Sequence, residues 1–362
     1  MEEEVARYLV ALPPDDDDMA STHANGVLSG LNEPTFVTKP LPSMHDAVRL
    51  LLDGDVDLIA VSASQWSNMD KTGLTVASAL GRREPTWILV ADDRPDMLEH
   101  GARVGCDHPL LHRQLRRFRP DLVLVDPSDE EPSWCTLTAA ERMSRWEDQR
   151  TEGDLHGYVI PRSMHRCLEG RPPRRHTLGL NREDPTRHRF VPPPLGGFTL
   201  LVARSGFPAA PLRPISDVGA LLAHRLERAI LEAIPEHLQS ITGVHVERRR
   251  VGTLLQEAAK VQDEHAIESL LDPEASLKTK GHRLEIIIET LGVDGRGAAA
   301  SERVFPESEA HSGMVRALEE WSELLEAMTT DHEELGRGVH YMGEYEEAYA
   351  AAHPSMMRLD DE

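Results

Sequence analysis

Apolar runs and amphipathic stretches alternate over the first two-thirds of the chain. RYLVAL (7–12), VDLIAV (56–61), LTVASAL (74–80), TWILVADD (86–93), RPDLVLVD (119–126), LHGYVIP (155–161) and FTLLVARSG (198–206) have the length and composition of buried strands. Between them lie helical patterns at 19–31, 43–54, 94–105, 109–117 and 138–153. SMHDAVRLLLDG (43–54) carries both helix punctuation marks, a Ser at its start and Gly54 at its end. Strand–helix alternation of this kind predicts an α/β fold. PPDDDD (13–18) and PSDEEPS (127–133) read as loops, and 171–196, rich in Pro and Arg, reads as a crossing linker or hinge. Further along, a long helix is predicted over 216–233, strands over 243–251 and 283–295 with an acidic helical stretch between them, and a helix over 312–328. The helix at 312–328 carries Leu318, Trp321, Leu324 and Leu325 as an apolar stripe suited to core packing.

Composition narrows the class. A chain of 362 residues with 40% apolar and 4% aromatic residues builds its core from aliphatic side chains. The formal net charge of −23 disfavours nucleic acid as a partner, since phosphates would be repelled. Lys occurs only at 39, 71, 260, 278 and 280, so Arg carries most of the positive charge; an acidic, Lys-poor surface suits a saline cytoplasm, and a GC-rich genome produces the same bias. The acidic start MEEEVARYLVALPPDDDD is unlike a signal peptide, and no apolar run has the roughly 20 residues of a membrane span. The sequence therefore reads as cytoplasmic, with no membrane partner. Cys106, Cys135 and Cys167 are too far apart for a CxxC site and odd in number, which fits a reducing compartment. His108 and His112 share a helix face beside Cys106, but a helix start with ordinary histidines accounts for them, and no metal site is assigned.

Several stretches, in collinear order, resemble the hydroxymethylbilane synthase (porphobilinogen deaminase) family. TFVTKPLPSMHDAVRLLLDGDVDLIAVSASQWS (35–67) is similar to the region ending in D-I-A-V-H-S-x-K-D, and LTVASALGRREPTWILV to the hinge strand around R-E-D-P-R-D. VGCDHPLLHRQLRRFRPDL (104–122) resembles V-G-T-S-S-L-R-R…R-P-D-L without a gap. FVPPPLGGFTLLVAR (190–204) and HRLERAILEAIPEHLQSITGVHV (224–246) resemble P-A-x-G-Q-G-A-L and A-E-R-A-F-L…G-G-C-Q-x-P-I-G-A-H, and LGVDG falls where the family has a strand and a D-G turn. The resemblance implies two periplasmic-binding-protein-like α/β domains around a cleft and a smaller α+β domain. It divides the chain into 1–91 with 190–214, 92–189, 215–330, and an acidic tail at 331–362.

That family condenses porphobilinogen units, and the resemblance implies a carboxylate at the cationic centre, arginines on the substrate carboxylates and a cysteine holding a dipyrromethane primer. Here the carboxylate column is Gln65, the preceding Lys is Ser64, the His is Val61, and only Ser62 is kept. The paired arginines are replaced within Asp107-His108-Pro109-Leu110-Leu111; Arg113, Arg116 and Arg117 follow and are expected to face elsewhere. The primer cysteine falls on Leu238, next to Gln239, so no cofactor is expected. Lys39, Ser62, Gln65, Arg82, Gly105, His108 and Arg204 form the candidate cleft set; several of them, with Gln239 and Gly243, can also serve the fold alone. The expected function is a divergent hydroxymethylbilane synthase-like protein that binds a pyrrole or tetrapyrrole precursor, or a pathway enzyme, without the primed condensation. Two alternatives stand beside it: an active synthase with a rebuilt site, and an unrelated small-ligand-binding protein on the same scaffold. Whether the chain is an enzyme is left open at this point.

Overall fold

A computed structural model describes residues 7–31, 35–129, 131–167, 176–181, 188–272, 277–278 and 281–330. The acidic tail and most of the Arg-rich stretch at 171–187 lie outside the described residues. The chain lays down β1 (Arg7–Leu12), β2 (Thr35–Pro40), β3 (Leu58–Ser62) and β4 (Leu74–Ala79), then crosses to β5 (Trp87–Ala91), β6 (Arg103–Gly105), β7 (Val123–Val125), β8 (Gly157–Pro161) and β9 (His176–Leu178). It returns as β10 (Thr199–Arg204) and ends with β11 (Thr242–Arg250), β12 (His282–Leu291) and β13 (Ala298–Pro306).

These strands form three sheets, ordered β2-β1-β3-β10-β4, β7-β6-β8-β5-β9 and β11-β12-β13. In the first, β1 runs parallel to β2 and β3, and the returning β10 lies antiparallel between β3 and β4. The second repeats the plan, with β6 parallel to β7 and β8, and the incoming β5 antiparallel to β8 and β9. Two α/β lobes result, each with one antiparallel strand set among parallel ones, β10 in the first and β5 in the second. The third unit is an antiparallel sheet backed by helices Val218–Ala233 and Ala310–Thr329.

Local chemistry explains the elements. Ser43 accepts from the Asp46 amide and Gly54 closes helix Met44–Asp53 with φ 89°, as its punctuation predicts. Asp57 accepts from the Leu9 amide at 2.8 Å and so fixes β3 against β1. The first lobe and the third unit share one apolar core that includes Ile59, Phe198, Ile230, Ile286 and Trp321, whereas the second lobe buries its own apolar faces around Leu111 and Trp146. Trp321 donates to Thr290 Oγ1 at 3.1 Å from within the shared core, while Leu324 of the same stripe is exposed.

The structure differs from the pattern reading in three places. Residues 94–105 form a short 3₁₀ turn (Pro95–Met97) and β6, because Pro95, Gly101 and the β-branched Val104 break the helical spacing. The stretch read as linker contains β9, which edges the second sheet. β13 is a nine-residue strand whose AAASER start carries no β signal; pairing with the strongly apolar β12 overrides propensity.

Candidate functional site

The cleft is organised by the loop after β1. Asp15 accepts from the Ser21 amide at 2.6 Å and the Thr22 amide at 3.1 Å, so it holds the start of helix Ala20–Leu28. Asp16 takes the Ser62 hydroxyl of the first lobe. Asp17 pairs with Arg142 of the second lobe, and its carbonyl accepts from Ser163 Oγ at 2.9 Å. Asp18 Oδ1 accepts from the Gly197 amide at 3.1 Å, on the chain returning to the first lobe. Met19 then turns with φ 52° and places its buried side chain in the second lobe's core beside Trp134 and Trp146. One loop thus ties both lobes and the returning strap together.

A cavity of about 530 Å³ opens beside it. Its wall comprises Asp16–Asp18, Ser64, Glu84–Trp87, His108, Pro161, Ser163, the strap Pro193–Gly197, and Leu231, Gln239 and Ser240 of the third unit. Carboxylates supply its charge: Asp16, Asp17, Asp18 and Glu84 line it, and no lining residue is Arg or Lys. Counter-charges neighbour these carboxylates, with Arg142 paired to Asp17, Arg162 to Glu84, and Arg83 acting on Asp16 and Asp18.

Burial pushes the Asp18 carboxyl up to about 6; Asp16 adds to the rise, while Arg83, the Gly197 amide and Arg82 oppose it. Asp16 and Asp17 are raised for the same first reason, the latter despite Arg142 and with Asp107 adding to the shift. His108, in edge-to-face contact with Trp87 at 5.2 Å, is held down to about 4 by burial and then by His112, against the pull of Asp107. It is neutral at pH 7. Its Nδ1 and the Trp87 Nε1 are buried with no hydrogen-bond partner among the described residues.

The strap is held in strained backbone. Leu195 has φ 66°, and its amide donates to Glu227 at 2.8 Å. Gly197 has φ 78°, and a Cβ there would lie 2.4 Å from the Arg83 carbonyl oxygen, so only glycine fits.

Of the residues singled out from the sequence, His108, Gln239 and Ser64 line the cavity. Ser62 and Gln65 form a capping box at helix Ala63–Asn68, and the Gln65 Nε2 donates to the Pro14 carbonyl at 3.0 Å. Both ends of that amide are therefore engaged with the protein. Arg82 pairs with Glu227 at 2.7 Å, donates to the Gly196 and Val246 carbonyls, and stacks over Phe198 at 4.0 Å. Arg204 donates to the Leu51 and Val56 carbonyls. Gly105 leaves room for the Trp146 ring, 2.3 Å from where a Cβ would sit. Lys39 is exposed at the end of edge strand β2, away from the cavity wall. Leu238 is buried, and Gln239 donates to the Leu231 and Ile234 carbonyls at 3.1 and 3.0 Å.

Arg113, Arg116 and Arg117 turn to the third unit, donating to the Leu291 and Val293 carbonyls and to Glu289. Cys106 is buried and its thiol is held well above the ordinary range by desolvation, so it is a poor nucleophile. His112 meets the Cys106 carbonyl at 2.7 Å; the side chains of Cys135 and Cys167 lie outside the described residues. Among the described residues no cluster of three or more His, Cys, Asp or Glu is arranged to hold a metal, and no helix is long and apolar enough to cross a membrane. The residues that sequence reasoning missed are Asp16–Asp18, Glu84 and Trp87. Their available signal was a run of four aspartates directly after a strand, the end at which α/β sheets place ligands.

No protein-family model matches the chain, and no curated protein matches it. Solved structures similar to it include YhfZ from Shigella flexneri, at 16% identity over 64% of this chain and 93% of that one, with a TM-score of 0.30. The reduced regulatory domain of OxyR from Pseudomonas aeruginosa is 14% identical over 58% of this chain and 92% of its own, with a TM-score of 0.31. A putative methionine-binding lipoprotein from Bacillus subtilis is 10% identical over 55% and 84%, with a TM-score of 0.30.

Proposed function

We propose that the chain is a small-molecule-binding protein whose ligand sits in the cavity between the two lobes, closed on its third side by the strap and by Gln239 and Ser240. The observation that carries this reading is the cavity itself. At about 530 Å³ it has the size of a small-molecule site, and its wall combines Trp87 and four prolines with acidic, hydroxyl and amide side chains. Binding without primed condensation is supported by three observations: the position matched to the primer cysteine is the buried Leu238, Cys106 is sealed away, and the Gln65 and Gln239 amides are bonded to the protein's own carbonyls and amide.

A ligand screen by hydrogen exchange tests it. A bound molecule is expected to slow exchange in the 13–19 loop and the 193–197 strap together, and Ser64→Trp, which fills the cavity, is expected to abolish that protection. Protection that survives Ser64→Trp, or a screen in which neither segment responds, contradicts the reading.

A second reading, a divergent hydroxymethylbilane synthase-like binder of a tetrapyrrole precursor, is favoured by one observation. The third unit brings the position next to Leu238, where the resemblance puts the primer attachment, onto the cavity wall through Gln239. Protection of the same two segments by porphobilinogen supports this reading, and failure of porphobilinogen to protect them at millimolar concentration removes it.

A further inference from the structure

We infer that the third unit latches the second lobe, so that the cleft opens only when helix Pro109–Phe118 releases the turn between β12 and β13. The first lobe and the third unit form one body. A single apolar core runs through both, from Ile59 and Leu200 to Ile286 and Trp321, and no second-lobe residue belongs to it. Parting those two units would expose that core to water. The second lobe keeps separate cores and is joined to the third unit by arginines. A polar boundary of this kind parts more readily than an apolar core, because water replaces the hydrogen bonds that are lost.

Arg113, Arg116 and Arg117 stand at i, i+3 and i+4 and so share one side of the helix. Arg113, 4% exposed, donates to the Leu291 carbonyl at 2.6 Å, and Arg116 donates to the Val293 carbonyl at 2.9 Å. Arg117 grips both oxygens of Glu289, at 3.0 and 3.1 Å, and Arg189 brings a second guanidinium to that carboxylate. Gly295, in the turn, has φ 72°; a Cβ there would lie 2.5 Å from the Arg113 carbonyl oxygen and 2.6 Å from the Arg117 nitrogen. Only glycine lets the turn reach the helix backbone. A cavity of about 1020 Å³ lies between the same two units, with Phe118 and Phe190 on one side and Leu254 and Ile287 on the other, so their boundary is not close-packed throughout.

The same helix reaches the cleft. His108, its N-cap, stands on the cavity wall, and Gln114, 0% exposed, donates at 2.8 Å to the Val191 carbonyl on the chain leading into the strap. At the cleft the second lobe holds the 13–19 loop through Arg142, Ser163 and the apolar surroundings of Met19. Freed from the turn, the second lobe swings on its two crossings to the first lobe, 80–86 and 188–198, and draws away from that loop.

Hydrogen exchange on the full chain without ligand tests this. Arg117→Gln combined with Glu289→Gln dissolves the ion pair without stranding a charge, and Gly295→Ala drives a methyl group against the helix backbone. Each variant is expected to speed exchange about tenfold at 109–118, at 292–297 and at the 13–19 loop, while β3 and the 284–288 stretch of β12 keep their wild-type rates. Arg303→Gln, which breaks a pair with Glu320 inside the third unit, is expected to leave all of these unchanged. Circular dichroism shows which variants fold, and if one does not, the other decides. Faster exchange at 109–118 and 292–297 with the 13–19 loop unmoved overturns the inference, since the contact then holds only itself. Acceleration that spreads to β3 and 284–288 overturns it too, because the chain then loosens as one unit, and so does the absence of any change. If neither variant folds, the contact belongs to the folding core and the inference falls. No ligand enters the test, so its failure leaves the binding reading untouched.

Discussion

Arg82→Met should be among the most damaging single substitutions in the chain. Glu227 is 0% exposed and accepts four hydrogen bonds: two from Arg82 at 2.7 and 3.2 Å, and one each from the Leu195 and Val246 amides at 2.8 Å. Arg82 also feeds the Gly196 carbonyl at 3.0 and 2.9 Å and the Val246 carbonyl at 3.0 Å. One ion pair therefore joins the crossing between the lobes, the strap that walls the cavity, and the third unit. Methionine keeps the apolar stem over Phe198 but leaves a buried carboxylate with two amide donors and no counter-charge. Such a loss costs about 3–5 kcal/mol, against a total stability of about 5–15 kcal/mol for a domain. Adding Glu227→Gln removes the stranded charge and keeps an acceptor for one amide, so the double variant should be more stable than Arg82→Met alone. Urea unfolding followed by tryptophan fluorescence gives the loss, and hydrogen exchange at Leu195 and Val246 shows where it falls. A loss below about 1 kcal/mol, with both amides still protected, refutes the reasoning.

Three further outcomes follow from the same geometry. Gly197→Ala should lower the melting temperature more than Gly206→Ala: both glycines have positive φ, but only at 197 does the new Cβ meet a backbone carbonyl, at 2.4 Å, and equal effects would contradict this. Arg142→Gln should speed exchange at 13–19 while changing global stability by less than about 1 kcal/mol, because its pair with Asp17 is partly solvated; unchanged exchange counts against the loop's role. His224 is 2% exposed and is pushed down to about 4 by burial first and then by Arg228, Arg225 and Arg82. A base depressed in the fold contributes stability present above its ordinary value of 6.5 and lost as pH falls toward 4, so His224→Leu should spare about 2 kcal/mol of the loss between pH 7 and pH 5. Asp18 has the opposite sign: raised to about 6, it favours the fold at acid pH and that contribution is lost as pH rises through 6. Chemical denaturation of the wild type and His224→Leu at the two pH values checks the difference, and parallel losses contradict it.

Much of the fold was legible because its signals are local. The apolar runs at β1, β3, β5, β8 and β10 and the capped helix Met44–Asp53 announce themselves by composition and spacing. β13 and β9 did not, since an Ala/Ser/Glu/Arg stretch and a three-residue edge become strands only through their partners. The site was half legible. Column-by-column comparison located His108 and Gln239 and recorded what Gln65 and Leu238 lack, but residue identity does not say what fills the neighbouring space. That Gln65 turns to Ser62 and Pro14, and that Arg82 turns to Glu227, depends on contacts between residues 51 and 145 positions apart. The aspartate run reads from sequence as an acidic loop and no more, because the contacts that fix it come from the second lobe and the strap, neither of which is adjacent in sequence.

The proposed function is small-molecule binding without pyrrole condensation. Incubating the purified chain with porphobilinogen at low and high salt, and following both its consumption and the uroporphyrin formed after oxidation, tests that claim most directly. No consumption in either salt by folded protein is the predicted result. Sustained turnover would contradict the account, and would mean that the carboxylates of the Asp16–Asp18 loop do the work that the resemblance assigns to the Gln65 column.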